Sequence, residues 1–245
     1  MIAEVWSIRL DQPPAVVASL RRLLDRDEAA RAARFARERD RRRFTVGHGA
    51  LRQVLATYVA ADAGALRFVA GRHGKPALTP AGPHFSLSHG DGLALVAVAR
   101  ERPVGVDVEL AGAEWDPRGV ARRFFTPEEA ALAAPGGDAG RRAFFRVWTC
   151  KESCVKASGR GIGDLEDVHV ALDPAGGARA RYRGVDWTIA ELRPAPGYIA
   201  AVATRRGPLH LAVREWTWRE APRVAATWRS ATCRKDAIEC AGTNA

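Results

Sequence analysis

Three carboxylates and two lysines stand at spacings that suit phosphate chemistry. In Pro103–Glu109, Pro-Val-Gly-Val-Asp-Val-Glu, acids occupy alternate positions of an apolar run. A strand repeats every two residues, so Asp107 and Glu109 share one face, with Val106 and Val108 on the other. Like charges side by side on a strand repel unless a cation or basic group lies between them. A second stretch, Trp148–Gly163, reads as a helix closed by a glycine stop: Gly159, Gly161 and Gly163 follow a breaker-free run from Arg141 to Ser158. Trp148, Glu152 and Lys156 fall at i, i+4 and i+8, close to one face, and Lys151 points to one side. Beside Asp107 and Glu109, Glu152 completes an all-oxygen donor set suited to Mg²⁺. Lys151 and Lys156 could take the phosphate oxygens such an ion leaves uncovered. The alternative is an ordinary amphipathic helix, with Trp148 in the core and a Glu152–Lys156 pair on its rim.

Taken in order, G-V-D-V-E and, about forty residues later, W-T-C-K-E-S-C-V-K-A-S-G-R-G resemble the paired signature of the Sfp-type 4′-phosphopantetheinyl transferases. The family pattern is G-[IV]-D-[IV]-E followed by W-x-x-K-E-[AS]-x-x-K-x-x-G-x-G. The resemblance implies an α+β fold, a pseudo-dimer of two similar α+β subdomains with the active site in the cleft between them. It implies transfer of the 4′-phosphopantetheine arm of coenzyme A to a serine of an acyl or peptidyl carrier protein, with release of 3′,5′-ADP. Asp107, Glu109 and Glu152 would hold Mg²⁺, Lys156 would neutralise the pyrophosphate with Lys151 nearby, and Glu152 is the candidate base for the serine proton.

Other segments resemble the family's coenzyme A contacts. Arg43, Phe44, Gly47, Leu51 and Arg52 follow the spacing of the segment whose arginine meets the 3′-phosphate, and Arg31, four before Phe35, matches another basic position. Glu28 stands where some members carry a lysine. Gly74-Lys75-Pro76 resembles a loop whose lysine lies against the nucleotide. Phe85-Ser86-Leu87-Ser88-His89 resembles a motif in which Ser88 and His89 would border the phosphates. His89, beside a glycine turn, is better placed for this than His73 or His84.

These groups need a scaffold. Residues 4–10 alternate as a first strand, and helices are expected near 14–24, 27–38 and 41–60. Residues 84–89 read as a strand running into the Gly90–Gly92 turn. Gly92–Val108 and Gly197–Val213 echo one another, each as two strands joined by a basic turn with proline at the same place, and Asp107 in the first copy answers Ala212 in the second. Thr126, Pro127 and Glu129 form the N-cap, N1 and N3 of a helix that Gly136-Gly137-Asp138 breaks. Residues 165–193 and 197–218 read as strands of the second half. The expected division is 1–102, 103–218 and a tail, 219–245, that is a frayed helix or disordered.

With 245 residues and 47% apolar composition the chain can bury a core as one large or two small domains. No apolar run is long enough to span a membrane, and the first residues lack a basic secretory n-region, so a cytoplasmic monomer is expected. Cys150 and Cys154, one turn apart, lack a matching pair and read as packing residues. The net charge of +10 asks for an acidic partner, which acidic carrier proteins would satisfy. Of 38 basic residues only four are lysine, and Lys75, Lys151 and Lys156 fall inside the motifs. Two rivals stand beside the transferase: a basic nucleic-acid binder, for which two acids on an apolar strand have no use, and a Mg²⁺-dependent nucleotide hydrolase using the same carboxylates on water.

Overall fold

Leu93–Ala99, Leu-Ala-Leu-Val-Ala-Val-Ala, is buried along its whole length, as a strand must be when both its faces are covered. In the computed structural model, which describes residues 1–112, 118–134, 137–173 and 177–218, this strand is an inner strand of the first of two large sheets, and Phe68–Ala70 and Pro76–Leu78 pair as a small ribbon. The elements run β1 (Ile2–Arg9), α1 (Pro14–Arg21), α2 (Arg26–Ala33), α3 (Glu38–Val59), β2 (Phe68–Ala70), β3 (Pro76–Leu78), β4 (His84–Gly90), β5 (Leu93–Ala99) and β6 (Val104–Leu110). They continue α4 (Arg118–Phe124), α5 (Pro127–Ala133), α6 (Gly137–Ser158), β7 (Val168–Leu172), β8 (Ala178–Tyr182), β9 (Val185–Leu192), β10 (Tyr198–Arg205) and β11 (His210–Glu215). The expected tail at 219–245 lies outside the described residues, as does Gly136 of the expected break; the other two residues of that break, Gly137 and Asp138, open α6 after α5 has ended at Ala133.

The fold is α+β, in four layers. One sheet has the order β11-β1-β5-β4 and the other β6-β10-β9-β8-β7. The outer face of the first (Ile8, Phe85, Ala94, Val96, Val98) packs on α3 through Val46, Ala50, Val54 and Leu55. Its inner face (Ala3, Val5, Leu95, Ala97) meets Val104, Val106 and Val108 of β6 and Val202 of β10. The far face of the second sheet (Ala180, Trp187, Ala201, Ala203) is covered by Val147, Cys150, Cys154 and Val155 of α6, where the two cysteines pack as free thiols.

The echoed segments form the four expected strands, but neither pair is a hairpin. β5 bonds to β1 and β4, whereas β6 crosses to the other sheet and bonds to β10. The second copy makes the reverse crossing: β11 leaves β10 and runs parallel to β1, Ile2 opposite His210 and Ser7 opposite Glu215. The strand expected among 197–218 as part of the second half is therefore a strand of the first sheet.

The arginine-rich helices stop short of their expected ends. Arg34 caps α2, and Arg37 is extended at the N-cap of α3, so α3 folds back across α2. This brings Arg52, fully buried, onto Glu28 (2.6 Å) and Asp25 (2.6 Å) and onto the carbonyls of Ala63 and Leu66. Glu28 and Asp25 also form the α2 capping box. A buried guanidinium survives only when its donors are matched this fully, which explains an acid at position 28.

Candidate active site

The site grows from the contact of α6 with β6. Gly105, Asp107 and Glu109 share the face of β6 that α6 covers. A Cβ at Gly105 would stand 2.0 Å from the Ser153 carbonyl oxygen and 2.4 Å from the Ala157 nitrogen, so helix backbone lies directly on strand backbone there. Further along, Lys156 meets Asp107, and Trp148 and Glu152 reach the neighbourhood of Glu109. The helix thus runs antiparallel to the strand, with the Trp148–Glu152–Lys156 face laid along the two acids. Gly105→Ala must push helix from strand, because both clashing groups are main chain. It is expected to cost about 1–3 kcal/mol of stability and to depress turnover in the fraction that folds, as denaturant titration with parallel transfer assays will read.

The edges of the two sheets meet at β4 and β6 without a backbone ladder. Serine hydroxyls fill in: Ser86 Oγ accepts the Val106 N–H (3.2 Å), and Ser88 Oγ accepts the Val108 N–H (3.4 Å). Gly90 permits the approach, since a Cβ there would lie 2.7 Å from the Val108 carbonyl. Ser88 also donates to Asp107 Oδ1 (2.7 Å) and accepts from Lys156 Nζ (2.9 Å), and Lys156 reaches the same Oδ1 at 2.6 Å. The lysine therefore pairs with Asp107 and not with Glu152 as a rim bridge. Burial opposes its charge, but Asp107, then Glu152 and Glu109, more than offset this and its pKa is raised.

Negative charge at this seam is under-compensated. Asp107 Oδ2 is buried with no hydrogen-bond partner. Burial and then Asp107 push Glu109 up to about 7, with an opposing hydrogen bond from the Trp148 side chain. The same two causes raise Glu152. Among the described residues no three His, Cys, Asp or Glu side chains form a closed metal cage. The donor chemistry nevertheless fits a hard divalent cation: one orphaned buried carboxylate oxygen and two further carboxylates destabilised by it.

Several expected phosphate contacts are placed elsewhere. Lys151 requires correction. It is fully buried on the other side of α6, paired with Glu129 at 2.8 Å and donating to the carbonyls of Leu165 and Val168. Glu129 is the N3 acid of the Thr126 capping box, formed as expected, and also accepts the Val170 N–H at 2.6 Å. Lys151 is therefore a strut between α5, α6 and β7. Arg43 is also committed to protein, bidentate to Asp11 (2.8 and 2.8 Å) and bonded to Asp91 (2.7 Å). Lys75 donates to three main-chain carbonyls, those of Val104, Lys156 and Ala157.

Arg31 and His89 are exposed, Arg31 over the Phe44 ring at 5.4 Å. Within the field of both is His48, which the sequence reading passed over. It stacks on Phe44 (3.8 Å between centroids), and its pKa falls to about 4 through burial first, then the positive fields of Arg31, His89 and Arg52. Its position four residues after Phe44 on α3 was the available signal.

Residues 103–203, which hold β6, α6 and the far strands, match the model of the 4′-phosphopantetheinyl transferase superfamily. The chain is 40% identical over 204 residues to the 4′-phosphopantetheinyl transferase HetI of Nostoc sp., covering 81% of this chain and 86% of that protein. It is 32% identical over 170 residues to a putative 4′-phosphopantetheinyl transferase of Synechocystis sp. (67% and 68% covered). To the 4′-phosphopantetheinyl transferase Sfp of Bacillus subtilis it is 27% identical over 179 residues (71% and 78% covered). With 40% identity to HetI over four-fifths of its length, the chain belongs to the 4′-phosphopantetheinyl transferase superfamily.

Proposed function

We propose that this seam moves the 4′-phosphopantetheine arm of coenzyme A onto a serine hydroxyl of an acyl or peptidyl carrier protein. The serine oxygen forms a bond to the pantetheine-side phosphorus, the pyrophosphate P–O bond breaks, and 3′,5′-ADP leaves. The observation that carries this is Asp107, one oxygen held by Ser88 and Lys156 and the other buried and bare. Asp107, Glu109 and Glu152 would hold Mg²⁺, which when bound offsets negative charge on the pyrophosphate. Lys156, already at the seam, turns its ammonium to the pyrophosphate oxygens. Glu152, its pKa raised by burial and Asp107, is the candidate acceptor of the serine proton. Arg31 supplies positive charge and His89 an exposed imidazole on the first-sheet side, the side assigned to the coenzyme A phosphates.

In this reading the halves 1–102 and 103–218 form the pseudo-dimer, supported by α3 and α6 each covering one sheet, with β11 returned to the first sheet as an exchanged strand. The net charge of +10 suits acidic carriers. Among the described residues no helix is long and apolar enough to cross a membrane.

Incubation with coenzyme A, Mg²⁺ and an apo carrier tests the proposal by intact mass. The expected result is one added phosphopantetheine per carrier, with capture slowed more than turnover by added salt. Hydrolysis of coenzyme A or nucleotide with the carrier left unmodified overturns it in favour of the hydrolase.

A further inference from the structure

We propose that Lys75 is a positioning residue of the transfer site, a cap that sets the last turn of α6 and through it Lys156. The proposal rests on the transferase reading above for the role of Lys156, and on geometry for the cap itself. A helix leaves its final carbonyls without intrahelical partners. α6 ends at Ser158, and Gly159 (φ +73°) turns the chain away. The Lys75 ammonium takes the Lys156 carbonyl at 2.6 Å and that of Ala157 at 3.2 Å, and the Val104 carbonyl at the start of β6 at 3.0 Å. Three donors meet three acceptors, so the ammonium is fully used, and a cation at a helix C-terminus is favourable. Its aliphatic stem lies across Gly159, where a Cβ would stand 3.4 Å from Lys75 Cδ.

The turn that presents Lys75 is itself held. Gly71 donates its N–H to the Lys75 carbonyl (2.8 Å), and Gly74, at φ +85°, donates to the Gly71 carbonyl (2.9 Å). One side chain therefore ties the β2–β3 turn, the first residue of β6 and the last turn of α6 together. Lys156 is in that turn: its carbonyl is on Lys75 while its own ammonium is on Asp107 and Ser88. Burial without a carboxylate beside it lowers the Lys75 pKa to about 8, in keeping with a lysine placed for its hydrogen bonds and not for a charge partner. The family resemblance would put this lysine on the nucleotide, and the two roles separate kinetically.

Lys75→Met keeps the stem and removes the donors, and Lys75→Arg restores charged donors. With Lys75→Met, kcat for transfer is expected to fall about 10- to 100-fold, since small misplacements of a reacting group are costly. The KM for coenzyme A stays within about twofold. Lys75→Arg recovers most of kcat. Hydrogen exchange at the Ala157 and Gly159 amides quickens in Lys75→Met and returns toward the parent in Lys75→Arg. A raised KM with kcat retained, or both constants unchanged, overturns the proposal, as does exchange at these amides that ignores the substitution. If Lys75→Met does not fold, Lys75→Gln is read by the same split. Should the parent protein modify no carrier, the transferase reading fails, and the exchange measurement still decides whether Lys75 caps α6.

Discussion

Asp107→Asn is expected to lower transfer on the order of 10²-fold or more while the protein still folds. The amide occupies the space of the carboxylate, and its oxygen can still accept from Ser88 and Lys156. What it loses is the charge that Glu109 and Glu152 feel, and what it adds is an NH₂ group where the bare Oδ2 lies. Donor hydrogens in place of an anionic oxygen cannot ligate a cation. Removal of one directly engaged electrostatic group in such sites costs roughly 10²–10³ in kcat. The stability effect should be modest, because the Lys156 side chain is 30% exposed and water takes over much of the lost pairing. Steady-state transfer at saturating Mg²⁺ and a melting curve read both effects. Near-parent turnover would remove Asp107 from the chemistry.

Lys151→Met should do the opposite. Here we expect a loss of about 3–5 kcal/mol of stability, the usual cost of stripping one partner from a buried ion pair, with turnover per folded molecule close to the parent's. Both Lys151 and Glu129 are almost wholly enclosed, so solvent offers no substitute partner. Glu129 would keep its bonds to the Thr126 and Val170 amides but face them as an uncompensated anion. Adding Glu129→Gln should therefore recover part of the loss, and a double-mutant cycle in denaturant measures how much. A Lys151→Met protein that melts like the parent yet transfers poorly would return this lysine to the phosphates.

The contrast between Lys151 and Lys156 marks how far local pattern reaches. Period two placed Asp107 and Glu109 together, and the 3.6-residue turn placed Trp148, Glu152 and Lys156 on one face with Lys151 aside, because both periodicities are properties of the backbone alone. The Thr126 capping box and the Gly159 stop were legible for the same reason: every group involved lies within a few residues. The family's motifs then told which chemistry to expect of that face.

What covers each face is a long-range matter. Lys151 is a strut because Glu129, Leu165 and Val168 close over its side of α6, and Arg43 is held by acids 32 and 48 residues away. Lys75 reaches carbonyls 81 and 82 residues further on. The crossing of β5 to β6, and of β10 back to β11, could not be told from two hairpins, since apolar strands of this kind satisfy either pairing equally well in sequence. Only the packing of two sheets between α3 and α6 decides it, because there β5, β6 and β10 bury both faces at once, and that packing brings the edge of β4 to the edge of β6, where Ser88 and Lys156 meet Asp107.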